Sequence, residues 1–153
     1  MRPWLVIILA VAAVAYACGW RSTAPRATVE DAWVRLPAVA GRPAAGYFTV
    51  EINGTRETLL SVSSPSAERI ELHFSRMEGG RMKMERLEES STRLGRPIRF
   101  EPGGAHLMLF GLDPALRPGD ALELNFRFLL APPATAQARL VAAGDAAPDH
   151  AEH

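Results

Sequence analysis

Pro102-Gly103-Gly104-Ala105-His106-Leu107-Met108-Leu109-Phe110 decides how this chain folds. A Pro-Gly-Gly turn signal leads into strict alternation, with Leu107 and Leu109 on one side and His106 and Met108 on the other. A period of two belongs to a strand, whose successive side chains point to opposite faces. The leucines are the natural core residues, so the imidazole and the thioether share the other face. Arg69-Ile70-Glu71-Leu72-His73-Phe74-Ser75 repeats the pattern. Ile70, Leu72 and Phe74 share one face; Glu71, His73 and Ser75 share the polar one. After the Gly79-Gly80 turn, Arg81 to Leu87 reads as a further strand with Met82 and Met84 on one face.

Outward from this centre the same reading recurs. Thr28 to Arg35 is an expected strand with Trp33 as a core anchor, and Ala45 to Ile52 is a second, rich in β-branched and aromatic residues. Asn53-Gly54 is a hairpin signal. Thr58 to Ser64, Pro97 to Glu101, Leu122 to Leu130 and Ala136 to Ala143 complete the set, with Pro132-Pro133 breaking the penultimate strand. About nine short strands with turn signals between them make an all-β, antiparallel Greek-key sandwich or barrel. No helix of three turns is expected in the body.

The chain has 153 residues, enough for one domain with a real core. Lys+Arg and Asp+Glu number 17 each, and this balance argues against a nucleic-acid partner. Residues 1–18 read as an export segment: Arg2 is the positive start, Trp4 to Ala17 is uncharged and apolar, and Ala15-Tyr16-Ala17 fits a small-x-small cleavage site. Cys18 follows it directly, which allows a lipid anchor on that cysteine or an uncleaved membrane anchor as well as simple cleavage. On any of these the chain is extracytoplasmic, either periplasmic or held at the membrane. Residues 19–27 are expected as a linker, 28–143 as the folded domain and 144–153 as a disordered tail.

Apart from the initiator, every methionine lies between His73 and Met108: Met77, Met82, Met84 and Met108 itself, with His73 and His106 among them. The folded body holds no cysteine. Imidazole and thioether without thiolate suit Cu(I), a soft ion that accepts both. The competing reading makes these methionines ordinary core filler. Against it, His73, Met82, Met84, His106 and Met108 fall on strand faces the core does not need.

The spacing of His73, Met84, His106 and Met108 resembles the ligand signature of the periplasmic PCu(A)C-type copper chaperones. Val29 to Arg35, Ala44 to Phe48, Glu71-Leu72-His73, Gly80 to Met84, Pro102 to Leu109 and Gly111-Leu112 are similar to that family's blocks, in order, over roughly residues 28 to 130. The resemblance implies a cupredoxin-like fold and one Cu(I) held by His73, Met84, His106 and Met108. It implies delivery of that copper to the CuA site of cytochrome c oxidase subunit II, alongside a Sco-type protein. Met82 is then an auxiliary packing or relay residue, and Met77 rim packing with a lesser part in copper transfer. His150 and His153, among acidic residues in the tail, form a weaker candidate site for Cu(II).

Other chemistries fit poorly. A blue-copper centre needs a thiolate in the fold. No Gly-x-Ser-x-Gly elbow or phosphate-binding glycine pattern is present. Catalytic zinc prefers His and carboxylate ligands. No enzyme activity is therefore expected. The reading from another class is an exported sandwich without metal, serving structure or protein interaction, with its methionines at an adaptable surface.

Overall fold

A computed structural model describes residues 25–53, 56–91 and 96–148. Among them are ten strands and no helix: β1 (Arg26–Arg35), β2 (Ala44–Asn53), β3 (Thr58–Ser63), β4 (Ala67–Glu78), β5 (Arg81–Leu87), β6 (Ser90–Ser91), β7 (Ile98–Phe100), β8 (Ala105–Leu112), β9 (Ala121–Phe128) and β10 (Ala134–Val141). All join one sheet in the order β5-β4-β8-β2-β1-β10-β9-β3-β6, with β7 also on β2. Pairing is antiparallel except for β1 with β10.

The sheet curls around a single main core. Val34 of β1, Phe48 and Val50 of β2, Leu59 of β3, Leu107 and Leu109 of β8, Leu122 to Phe126 of β9 and Leu140 of β10 supply it from alternate positions. Fully burying each such side chain stabilises the fold by about 1.5–3 kcal/mol. Phe48 stacks on Phe100 at 4.5 Å and meets Phe126 edge-on at 4.9 Å. The leucines of the alternating stretch around His106 point inward, as their period requires.

Two local expectations need correction. The strand beyond the expected nine is β6, a serine pair without hydrophobic pattern. The strands on either side of the Asn53-Gly54 signal, β2 and β3, do not pair with each other, and Gly54 lies outside the described residues. Both edges of β2 are already taken, by β1 on one side and by β7 and β8 on the other, and β3 pairs with β9 and β6 instead. The Gly79-Gly80 turn does close a hairpin: both residues have positive φ, at 58° and 76°, with Glu78 opposite Arg81.

Trp33 is buried, as expected of an anchor, but in a second cluster separate from the main core. β1 carries one extra residue between Glu30 and Trp33, and Asp31 there has φ of 53°. Aspartate tolerates this left-handed conformation better than most side chains. The bulge reverses the alternation, so Ala27 and Val29 pack on the main core before it and Val34 after it. Trp33 moves to the outer face. It is buried there in a separate small cluster with Tyr47 and Val141, its ring 4.4 Å from that of Tyr47.

Glu57 closes the far end of the sheet. It is 1% exposed. Its Oε1 accepts the backbone N–H of Thr58 at 2.8 Å, Leu129 at 3.1 Å and Leu130 at 3.0 Å, and its Oε2 accepts that of Ala131 at 2.7 Å. One carboxylate thus ties the start of β3 to the segment that leaves β9. Burial pushes its pKa up, but the four N–H donors outweigh that and hold it below the ordinary carboxylate value.

Candidate metal centre

Three adjacent strands, β5, β4 and β8, carry the candidate ligands on the outer face of the sheet. The register sets His73 opposite His106, Glu71 opposite Met108 and Ser75 opposite Met84. Residues far apart in sequence therefore meet by cross-strand pairing, where facing side chains are close enough to act together. The His73 and His106 rings lie 6.0 Å apart between centroids.

The loop before β8 shapes one wall. β7 and β8 lie end to end on the same edge of β2, with Phe100 opposite Phe48 and Leu107 opposite Gly46. Residues 101 to 106 bulge away from that edge beside Tyr47. Gly103 takes φ of 85° at the tip. The carbonyl of Gly104 accepts the N–H of Ser75 at 3.0 Å and His106 Nδ1–H at 3.1 Å. Gly46 lets the two strands approach, since a Cβ there would meet Leu109 Cδ1 at 3.1 Å and Leu107 Cβ at 3.2 Å.

Hydrogen bonding assigns the tautomers. The Gly104 carbonyl can only accept, so neutral His106 carries its proton on Nδ1 and keeps the Nε2 lone pair. His73 Nε2–H donates to Glu71 Oε2 at 3.0 Å. His73 Nδ1 then holds a lone pair, and this atom is buried with no hydrogen-bond partner. An unpaired buried acceptor costs about 1–3 kcal/mol, and a cation would satisfy it. Each imidazole thus offers one nitrogen while the other is anchored, the usual arrangement behind a metal-bound histidine.

Glu71 is itself held. Arg69 Nε lies 2.8 Å from its Oε1 and Arg86 Nη1 lies 3.5 Å away. The hydrogen bond from His73 lowers its pKa most, opposed by desolvation and assisted by Arg86 and Arg69. It is an ionised acceptor for His73.

Met82, Met84, His106 and Met108 line an open pocket of about 330 Å³, with Tyr47 and Ser75 beside them. His106 is buried at 7% exposure, whereas Met84 is 49% exposed. His106 is the imidazole in the pocket lining; His73 lies beside it on β4, facing His106 across the strand pair, and does not line the pocket. His106 is more deeply set than an outward strand position suggests, because the 101–106 bulge folds over its face. Among the described residues no three His, Cys, Asp or Glu side chains gather into a site for harder ions. The cluster works as a donor set only with its sulfurs.

Met77 is not at the pocket; it lies at the hairpin tip opposite Met82. His150 and His153 lie outside the described residues, as does the export segment. Sequence reading passed over Glu71 and Tyr47 as functional groups. The Glu-x-His alternation, two residues apart on one face, was the available sign for Glu71. For Tyr47 the sign was the alternation of β2, which puts it on the face opposite Phe48 and Val50.

The family described as "Putative lipoprotein LpqE-like" matches residues 27–140. A curated protein of Leifsonia xyli subsp. xyli (strain CTCB07), described as "Putative lipoprotein Lxx21020", is 28% identical over 103 residues. That match takes in 65% of this chain and spans 60% of the relative's length. Among solved structures, the copper-bound PCuAC domain from PmoF2 matches with TM-score 0.64 and 21% identity, over 78% of this chain and 96% of that domain. The apo PCuAC domain from PmoF1 matches with TM-score 0.64 and 25% identity, over 76% and 94%. The fold is the cupredoxin-like one of these PCuAC domains.

Proposed function

The chain belongs to the LpqE-like family, and from that premise we propose that it is an extracytoplasmic copper chaperone, not an enzyme. It binds one Cu(I) through His73 Nδ1, His106 Nε2 and the sulfurs of Met84 and Met108. The observation that carries this reading is the pair of facing imidazoles, each anchored through one nitrogen with a lone pair left on the other, on the sheet face where His106 shares a pocket with Met84 and Met108. The copper-bound PCuAC domain of the same fold supports it. The lipoprotein description of the family supports an exported, membrane-held location.

Neutral His and Met ligands hold a soft monovalent ion without the stronger thiolate bond. Copper at an open rim of thioethers is accessible to incoming ligands. Thiolates of an acceptor then displace the methionines stepwise, with no change of oxidation state. On sequence resemblance the proposed acceptor is the CuA site of cytochrome c oxidase subunit II, assisted by a Sco-type protein. Tail residues His150 and His153 are proposed as a separate, weaker Cu(II) site.

An anaerobic Cu(I) competition titration against a chromophoric chelator tests the central reading. One tight, saturable Cu(I) per chain is expected. No retention against the chelator returns the chain to an exported interaction module without metal.

Glu71 gives a second test. Glu71→Gln keeps the shape but removes the charged acceptor that orients His73. Loss of such a partner lowers metal affinity by about 10–100-fold. The expected result is that loss in the same titration with the urea midpoint little changed. Unchanged affinity would remove Glu71 from the site.

A further inference from the structure

The β4–β5 hairpin carries more sulfur than the proposed four-ligand site uses. Met77 and Met82 are directly opposite across the hairpin, 63% and 59% exposed. Neither belongs to the core, so packing does not account for two facing thioethers in water. Met77 shares its face of β4 with His73 and Ser75, and Met82 shares its face of β5 with Met84. The sulfurs therefore run along one face from the hairpin tip to the pocket, where Met82 and Met84 both meet His106 and Met108.

The hairpin is built to hold this pair in register. On its other face Arg76 pairs with Glu85 at 3.1 Å, and Lys83 pairs with Glu78 at 3.2 Å and Glu85 at 3.4 Å. The two-residue glycine turn fixes the alignment at the tip. A soft cation finds two thioethers there on adjacent strands, with Met84 two residues further along.

We propose that Met77 and Met82 form an outer Cu(I) station, which loads and unloads the inner site by thioether exchange through Met84. In each exchange one Cu–S bond forms as another breaks; copper stays Cu(I) and no proton moves. The proposal rests on the copper reading of the inner site.

The test uses Ag(I), a redox-inert soft monovalent probe, with the full chain labelled at the methionine ε-methyl carbons. The first equivalent of Ag(I) is expected to move the Met84 and Met108 resonances, and the second those of Met77 and Met82. Met77 and Met82 resonances that stay still while Met84 and Met108 move overturn the outer station and leave the inner site standing. If Met84 and Met108 stay still, the inner reading fails, and the station as its loading point fails with it. The variant Met77→Leu, at the residue outside the pocket, keeps an apolar side chain of similar size and removes one of the two facing sulfurs. It is expected to lose the second Ag(I) event, keep the affinity for one Cu(I), and load Cu(I) about tenfold more slowly, the effect of a modest rise in barrier. Loading at the unaltered rate overturns the proposal.

Discussion

Met84→Ala combined with Met108→Ala is expected to lower Cu(I) affinity by more than about 100-fold, beyond the 10–100-fold that loss of a partner behind a ligand costs. Two of the four donors disappear, and the remaining imidazoles hold copper without a soft ligand. Stability should change little through Met84, which is half in solvent and whose truncation leaves no core cavity. Met→Leu at the same two positions separates chemistry from packing, because leucine restores apolar volume without sulfur. Competition titration should show the same loss for the leucine pair as for the alanine pair. Equal affinity in all three proteins would mean that these methionines are not ligands.

Glu57→Gln is expected to destabilise the fold by about 1–3 kcal/mol, the cost of leaving a buried backbone N–H without its acceptor. The amide cannot accept four N–H donors with its NH₂ group, so at least the Ala131 or Thr58 donor is left unpaired in the interior. Urea unfolding with a shared slope measures this directly. The pH dependence carries a sign. Glu57 has a folded pKa below its unfolded value, so its contribution is present above the unfolded value of about 4.3 and disappears as pH falls through the folded one. The variant should lose that part of the acid dependence. A wild-type acid limb in the variant would show that the carboxylate does not hold the sheet end.

Alternation made most of the sheet legible in the chain. Leu107 and Leu109 against His106 and Met108, and Leu72 against His73, assign core and outer face without any tertiary information. What escaped depends on partners distant in sequence. Asn53-Gly54 is good local turn chemistry, yet β1, β7 and β8 occupy both edges of β2 and leave none for β3. Trp33 looks like a core residue and is buried, but the extra residue at Asp31 assigns it to the second cluster with Tyr47 and Val141. Glu57 is unmarked in sequence because its four donors come from Thr58 and from a segment more than seventy residues later. The faces of His73, Met84, His106 and Met108 were readable, but which nitrogen of each histidine keeps its lone pair was not, since that follows from the Glu71 carboxylate and the Gly104 carbonyl.

β5 is the last strand at one end of the sheet order, paired only with β4 and exposed along most of its length. Its charged side chains discourage pairing with another chain. The same position makes β5 the element with least holding it down, and such edges open locally at a fraction of the global unfolding free energy. Met84 stands on that strand. With the proposed ligand set, fraying of β5 would carry one donor away from copper while the two histidines stay on β4 and β8, and the metal's residence time would follow the breathing of a single strand. Conversely, copper bound at the proposed site would staple that strand down. Amide hydrogen exchange in β5 should slow on loading while exchange in the β9–β10 pair stays as it was.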